Sequence, residues 1–316
     1  MGNVTNNKGK NSSMRMNNTV TIGIPAFNEE ANIAHLLNDL LKSEQSGFAL
    51  KEIVVSSDGS TDKTDEIVKK ISKANKTVKL IINKSNRGQA VCQNQIISRC
   101  QSNVLVLINA DMKIEDKNYI SKIVKPIFLK KADLVSTALQ PLKPATFFES
   151  IIYKSVDIKE EIYAKYNGGK NVYTCHGAAR AFSKNLYKNF RFKENIGEDA
   201  YSYFYAVSNG YKYEYVKNAT LHHRLPNNVN GHLRQSTRFF NSQNLMKKSF
   251  GAKNVESEYS IPIKLAVYTF AKYLLTSPIK TSIYMLILVF ARAKSKLIKK
   301  VEKNWEASPS TKILIN

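Results

Sequence analysis

The sequence predicts an α/β fold: a mostly parallel sheet flanked by helices, with a helical, basic C-terminal extension. Three observations carry that expectation. Short apolar runs alternate with stretches of helical spacing over roughly the first 140 residues, the pattern of βαβ units. One run, Val104 to Ile108, is continuous and rich in branched side chains, as a strand buried on both faces requires. Polar turns follow the first four runs, at the strand ends where open α/β sheets bind ligands.

In order, residues 1–18 are polar and Asn-rich and read as a disordered tail, since nothing in them offsets the entropy of ordering. Val20 to Ile24 reads as a strand and Pro25 to Asn28 as a turn. Ile33, Leu36, Leu37, Leu40 and Leu41 then fall at helical spacing, with Asn28 as N-cap and Glu29 and Glu30 at the positive helix end. Strands follow at 51–56, 78–82, 104–108 and 133–138, separated by helices over about 63–72, 89–99 and 116–129.

The second half changes character. A helix is expected over 147–166, a strand and then a turn within 173–182, a helix over 200–208, a strand over 213–216 and a helix over 231–250. The domain boundaries read as 19–250 for one domain with halves 19–140 and 141–250, and 251–316 for the extension.

Charge narrows the partners. Forty-eight Lys and Arg against 25 Asp and Glu give a net charge of +23. Such a field favours phosphorylated substrates, anionic lipid headgroups or nucleic acid. The sequence holds no nucleic-acid-binding module and no arginine-rich tract, so nucleic acid is not the expected partner. Within 261–300 two short apolar helices, interrupted at Ser277-Pro278, lead into the basic run from Arg292 to Lys300. That pattern suits a peripheral position on an anionic membrane surface, and neither helix reaches the ~20 apolar residues of a span. Three cysteines without a CxxC pair fit a reducing cytoplasm, and no secretory signal is expected from the polar N-terminus. The expected location is the cytoplasmic, inner face of the cell membrane.

The turns carry the chemistry. Asp111, just beyond the buried run, is placed either to cap the next helix or to hold a hard divalent cation with its phosphate oxygens. Asp58-Gly59 is either a plain turn or an acceptor for a base N–H. Asn86-Arg87-Gly88 lets the backbone approach a ribose or diphosphate, with Arg87 available to phosphate. No GxxxxGK[ST] or GxGxxG occurs, so neither a P-loop nor a dinucleotide fingerprint is present. Glu198-Asp199 opens a helix and is either its cap or a base. Gln235 and Arg238 share a helix face, with His232 and Arg234 nearby. His222 and His223 are adjacent on an extended segment and face opposite sides.

Taken together, these segments resemble the family 2 glycosyltransferases over roughly residues 19–240. The resemblance runs through Pro25-Ala-Phe-Asn-Glu-Glu30, Asp58, Asn86-Arg-Gly88, Asn109-Ala-Asp111, His176-Gly-Ala-Ala-Arg-Ala-Phe182, Glu198-Asp199 and Gln235-Ser-Thr-Arg-Phe239. It implies the A-type, Rossmann-like nucleotide-binding fold and inverting transfer from a nucleotide-sugar donor to a saccharide or lipid-linked acceptor. It implies that Pro25, Ala26, Phe27, Asn28, Glu30, Asp58, Asn86, Gly88, Asn109, Ala110 and Arg238 contact the donor. Asp111, with His223 or His222, would serve a Mn2+ or Mg2+ ion. Asp199 would be the base and Glu198 its neighbour, and His176, Gly177, Gln235 and Phe239 would face the acceptor. Asn109 replaces the first carboxylate of the family's Asp-x-Asp, and Phe239 replaces its Trp. An already ionised polyprenyl phosphate is the alternative acceptor; a nucleotide-binding relative without activity is another reading.

Overall fold

The computed structural model describes residues 18–193 and 197–297. Most of the expected tail and the end of the expected basic run, Lys299 and Lys300, lie outside the described residues. In chain order the strands are β1 (Thr19–Ala26), β2 (Ala49–Ser57), β3 (Val78–Ile82), β4 (Val104–Ile108), β5 (Leu134–Pro141), β6 (Ala179–Ser183) and β7 (Tyr213–His223). They form one sheet in the order β3-β2-β1-β4-β6-β5-β7. Only β6 runs antiparallel, to both β4 and β5.

Helices α1 (Ile33–Leu41), α2 (Thr64–Ala74), α3 (Gln89–Arg99) and α4 (Tyr119–Phe128) connect the first five strands. All five side chains of β4 are buried, because β1 and β6 flank it and helices cover both faces. Gly23 of β1 has no side chain because Ile96 of α3 occupies the space: a Cβ there would lie 2.4 Å from that side chain. The second half adds α5 (Phe147–Lys165), α6 (Lys184–Asn189), α7 (Glu198–Ser208) and α8 (Val229–Phe250). Helices α9 (Ala252–Tyr259), α10 (Ile263–Thr276) and α11 (Pro278–Leu297) follow.

The sequence expectations need four corrections. Pro25 and Ala26 are the buried end of β1, and the turn begins at Phe27. Asn28 is not the cap of α1; the helix starts four residues later at Asn32, and Asn28 sits in the left-handed region at φ 54°. Residues 173–182 contain a turn and then a strand, the reverse of the expected order, because Val172–Thr174 closes a 3-10 turn before β6. β7 extends to His223, well past Val216, because β5 pairs again with Thr220 to His223 beyond a register shift that leaves 217–219 unpaired with β5. Two short helices, α6 and α9, had no counterpart in the sequence reading.

The candidate active site at one edge of the sheet

β1, β2 and β4 are parallel, so their following loops meet at one edge. β6 is antiparallel, so its leading segment, His176 to Ala178, meets the same edge. Asn109 N–H donates to the Ala178 carbonyl at 2.9 Å, which joins the two segments directly. Beyond it, Lys113 and His222 exchange backbone hydrogen bonds of 2.9 and 3.0 Å, so the strand carrying the histidine pair borders the Asp111 segment.

The loops after β1 and β2 are laced together. Thr61 N–H donates to the Asn28 side-chain oxygen at 2.8 Å, Glu29 N–H to the Thr64 hydroxyl at 2.8 Å, and Glu30 N–H to Asp62 at 3.0 Å. In return Lys63 N–H donates to the Glu30 carboxylate at 3.0 Å. Asp58 is wholly buried, and its two oxygens accept the Arg87 and Gly88 amides at 2.9 and 2.8 Å. The partners observed for Asp58 are therefore amides of the 86–88 loop. This close approach requires Gly59: at φ +71° its Cβ would lie 2.6 Å from the Ser85 carbonyl carbon. Gly88, at φ +96°, then starts α3. Gln89 on the first turn of α3 donates to the Asn109 side-chain oxygen at 2.8 Å, which fixes the amide of Asn109. Arg87 is exposed at the rim, and Ala110 is buried behind Asp111, which is half-buried.

Asp199 lies in the first turn of α7, where its side chain accepts the Ala200 amide at 2.7 Å. Gly177 abuts it, since a Cβ on that glycine would sit 3.5 Å from Asp199 Cβ. Glu198 beside it has its carboxyl pushed up by burial, with Arg238 of α8 opposing that shift. Arg180, which the sequence reading passed over, is fully buried in β6. Its Nη1 donates to the Glu198 carbonyl at 2.6 Å and the Ser202 hydroxyl at 2.8 Å, so it ties the Glu198-Asp199 turn to the sheet. The signal was available: one arginine within the apolar run Ala178 to Phe182.

A cavity of about 190 Å³ opens beside His176. Tyr163, Tyr215, His223, His232 and Gln235 also line it, among apolar side chains. Burial holds the imidazoles neutral: His223 and His232 are each pulled down to about 4, and His176 is lowered although Asp199 opposes the shift. His222 turns the other way, with its Nε2 3.6 Å from Glu115. Of the two histidines, only His223 therefore faces the cavity. Phe239 is displaced from the cavity and packs between Tyr173 and Tyr259, its ring 6.2 and 5.8 Å from theirs.

Among the described residues, no group of three or more His, Cys, Asp or Glu side chains converges to hold a metal. The expectation is Asp111 with one histidine of the pair, and His222 is turned to Glu115. The donor chemistry that is present, one carboxylate at a strand end, fits a hard cation delivered with phosphate oxygens and water.

The model of glycosyl transferase family 2 matches residues 21–191, more than half of the chain. The chain belongs to glycosyl transferase family 2. The match ends before Glu198. Glycosyltransferase GlyA of Streptococcus pneumoniae is 24% identical over 200 residues, covering 60% of this chain and 28% of that protein. A dolichyl-phosphate beta-glucosyltransferase of Trichomonas vaginalis is 26% identical over 115 residues, covering 34% of this chain and 36% of that one. The chain thus spans about a third, or less, of these curated relatives' lengths. Among solved structures, the mannosyltransferase PcManGT of Pyrobaculum calidifontis, in complex with GDP-Man and Mn2+, has a TM-score of 0.58 at 16% identity. It covers 89% of this chain and 81% of its own. The chain has the A-type fold expected from its sequence.

Proposed function

We propose that this glycosyltransferase inverts the anomeric centre while moving a sugar from a nucleoside-diphosphate donor, UDP-linked by preference, to a hydroxyl acceptor. The acceptor is a saccharide or lipid-linked precursor of a cell-surface glycan. One observation carries the reading: the Asp199 carboxylate stands at the first turn of α7 against Gly177, beside a cavity and on the edge that holds the donor loops.

Asp199 accepts the acceptor's hydroxyl proton as that oxygen attacks the anomeric carbon. Burial raises the carboxyl of the neighbouring Glu198, against the opposing pull of Arg238. The turn formed by Phe27, Asn28 and Glu30 borders the base, the Asn86 to Gly88 backbone borders the ribose and diphosphate, and Arg238 supplies positive charge to the phosphates. Asp111 is the residue that would hold a Mn2+ or Mg2+ ion, with neutral His223 as a further donor; such an ion neutralises the departing diphosphate. Three buried free thiols fit a cytoplasmic site of action.

The test is a thermal-shift screen of UDP-, GDP-, CMP- and dTDP-sugars with and without Mn2+, followed by transfer assays on Asp199→Asn with the donor it selects. A donor that raises the melting temperature and a variant that binds it without transferring support the reading. Full transfer by Asp199→Asn would instead indicate an acceptor already ionised, such as a polyprenyl phosphate. Absence of any nucleotide-dependent shift would overturn the donor assignment.

A further inference from the structure

The strongest feature outside the site is the helical hairpin α10–α11. Its inner face is well occupied. Tyr284, Leu265, Phe270, Tyr273 and Leu288 pack on Ile151, Ile158 and Ile162 of α5. Lys272 donates to Glu161 of α5 at 2.8 Å, and Lys154 and Lys165 of α5 lie 5.3 and 5.7 Å over the rings of Tyr273 and Tyr268. The hairpin is therefore docked on the catalytic domain.

Among the described residues, its outer face has no protein cover. Ile263 is 74% exposed, Leu275 86%, Ile279 69%, Leu286 71%, Val289 69% and Phe290 58%. Along α10, the apolar positions 263, 267, 271 and 275 recur at one helical turn; along α11, apolar 279, 286, 289 and 293 share one face, with Ser282 among them. Each helix thus carries an apolar stripe opposite the one it buries. Soluble monomers rarely leave so large a patch open.

Charge selects what covers it. Between residues 261 and 300 the chain has eight Lys and Arg and no Asp or Glu. A second copy docking by this same face would bring like charges together, which disfavours self-association. An anionic lipid surface meets both features: apolar side chains enter the headgroup and acyl boundary, and lysines meet the phosphates. No described helix is long and apolar enough to cross a membrane, so the hairpin lies in the interface plane.

We propose that the outward face of the α10–α11 hairpin docks the enzyme on an anionic lipid surface. Helix α5 gives this docking a geometric consequence. Ile151, Ile158, Glu161 and Ile162 contact the hairpin, whereas Ile152, Val156, Lys159 and Tyr163 line the cavity beside His176. At 100° per residue these two sets centre roughly 130° apart on α5, and Lys159 and Tyr163 join them: Lys159 lies 5.5 Å over the Tyr284 ring of α11, and Tyr163 packs on the hairpin cluster. The helix lies between lipid-facing hairpin and cavity, so docking fixes the cavity relative to the bilayer.

The test uses the full chain and vesicles of phosphatidylcholine, alone or with a minority of phosphatidylglycerol. Co-sedimentation is expected with the mixed vesicles, weaker with phosphatidylcholine alone, and reduced by salt. The variant Leu275→Glu/Ile279→Glu/Leu286→Glu is expected to lower partition at least about tenfold, with its circular dichroism and melting temperature retained. Should that variant misfold, Lys264→Gln/Lys280→Gln leaves the apolar face intact and is expected to remove the preference for anionic vesicles. Failure of the wild type to sediment with mixed vesicles would overturn the proposal. So would a folded variant with unchanged partition, or a vesicle-independent dimer that the triple variant abolishes. No donor or acceptor enters the measurement, so its outcome is independent of the transferase reading.

Discussion

The two sides of the sheet edge are built by different means. On the side proposed for the donor, short polar loops are held by hydrogen bonds between side chains and nearby backbone: Asn28 to Thr61, Glu30 to Lys63, Asp58 to Arg87 and Gly88. On the side proposed for the acceptor, half-buried Asp199 is positioned by long-range packing against Gly177 and by the Arg180 bonds to its turn. Local polar lacing makes the first rigid before a ligand arrives. The second depends on elements separated by many residues, and its cavity shares α5 with a hairpin that exposes its own apolar face.

The largest expected effect lies on the acceptor side. Asp199→Asn is expected to lower transfer by roughly 10²–10⁴-fold while donor affinity, read by calorimetry, stays within about twofold. A comparable loss of donor affinity would show that the two sides are not separable. On the proposed donor side, Asp58→Ala leaves the part-buried amides of Arg87 and Gly88 without their acceptor. It is expected to cost about 2–4 kcal/mol of stability in denaturant unfolding and to weaken the donor. Retained stability would mean that the 86–88 loop is held by other contacts.

The cavity predicts a pH dependence. His223 and His232 have native values near 4, below the ordinary 6.5, so between those limits the unfolded chain binds more protons than the native one. Stability is therefore full above about pH 6.5 and falls as the pH drops toward 4, by a few kcal/mol at most for the pair. His232→Gln is expected to flatten the melting temperature against pH over this window; an unchanged slope would assign it to other groups. The smallest effect belongs to Asn109→Asp. The new carboxylate keeps the bond from Gln89 and adds charge beside Asp111, so Mn2+ affinity in the presence of nucleotide is expected to rise about tenfold. A fall would show that Asn109 serves the ribose alone.

Much of the donor side was legible because its signals are local. Asp58-Gly59, Asn86-Arg87-Gly88 and Asn109-Ala110-Asp111 each fall directly after an apolar run, and the strand ends place them without further information. The misreading at Pro25 and Asn28 was a matter of a few residues: a strand held by β2 runs on through a proline, and a left-handed Asn delays the helix. The acceptor side was less legible. Nothing in the spacing of Arg180 and Glu198 says that a buried guanidinium holds the peptide of the other. Nor does the adjacent pair His222-His223 say which ring turns to Glu115 and which to the cavity.

The sequence by itself determined the alternation of strands and helices, the buried character of β4 and the polar loops that follow the strands, because these depend on periodicity and turn chemistry within a few positions. Only the tertiary structure decided that β6 enters between β4 and β5, antiparallel to both. That insertion brings His176 and Gly177 to the edge of Asn109 and sets Asp199 against them. Strand order is a choice among long-range pairings that compete through burial and hydrogen bonding across the whole sheet, and no local pattern encodes it.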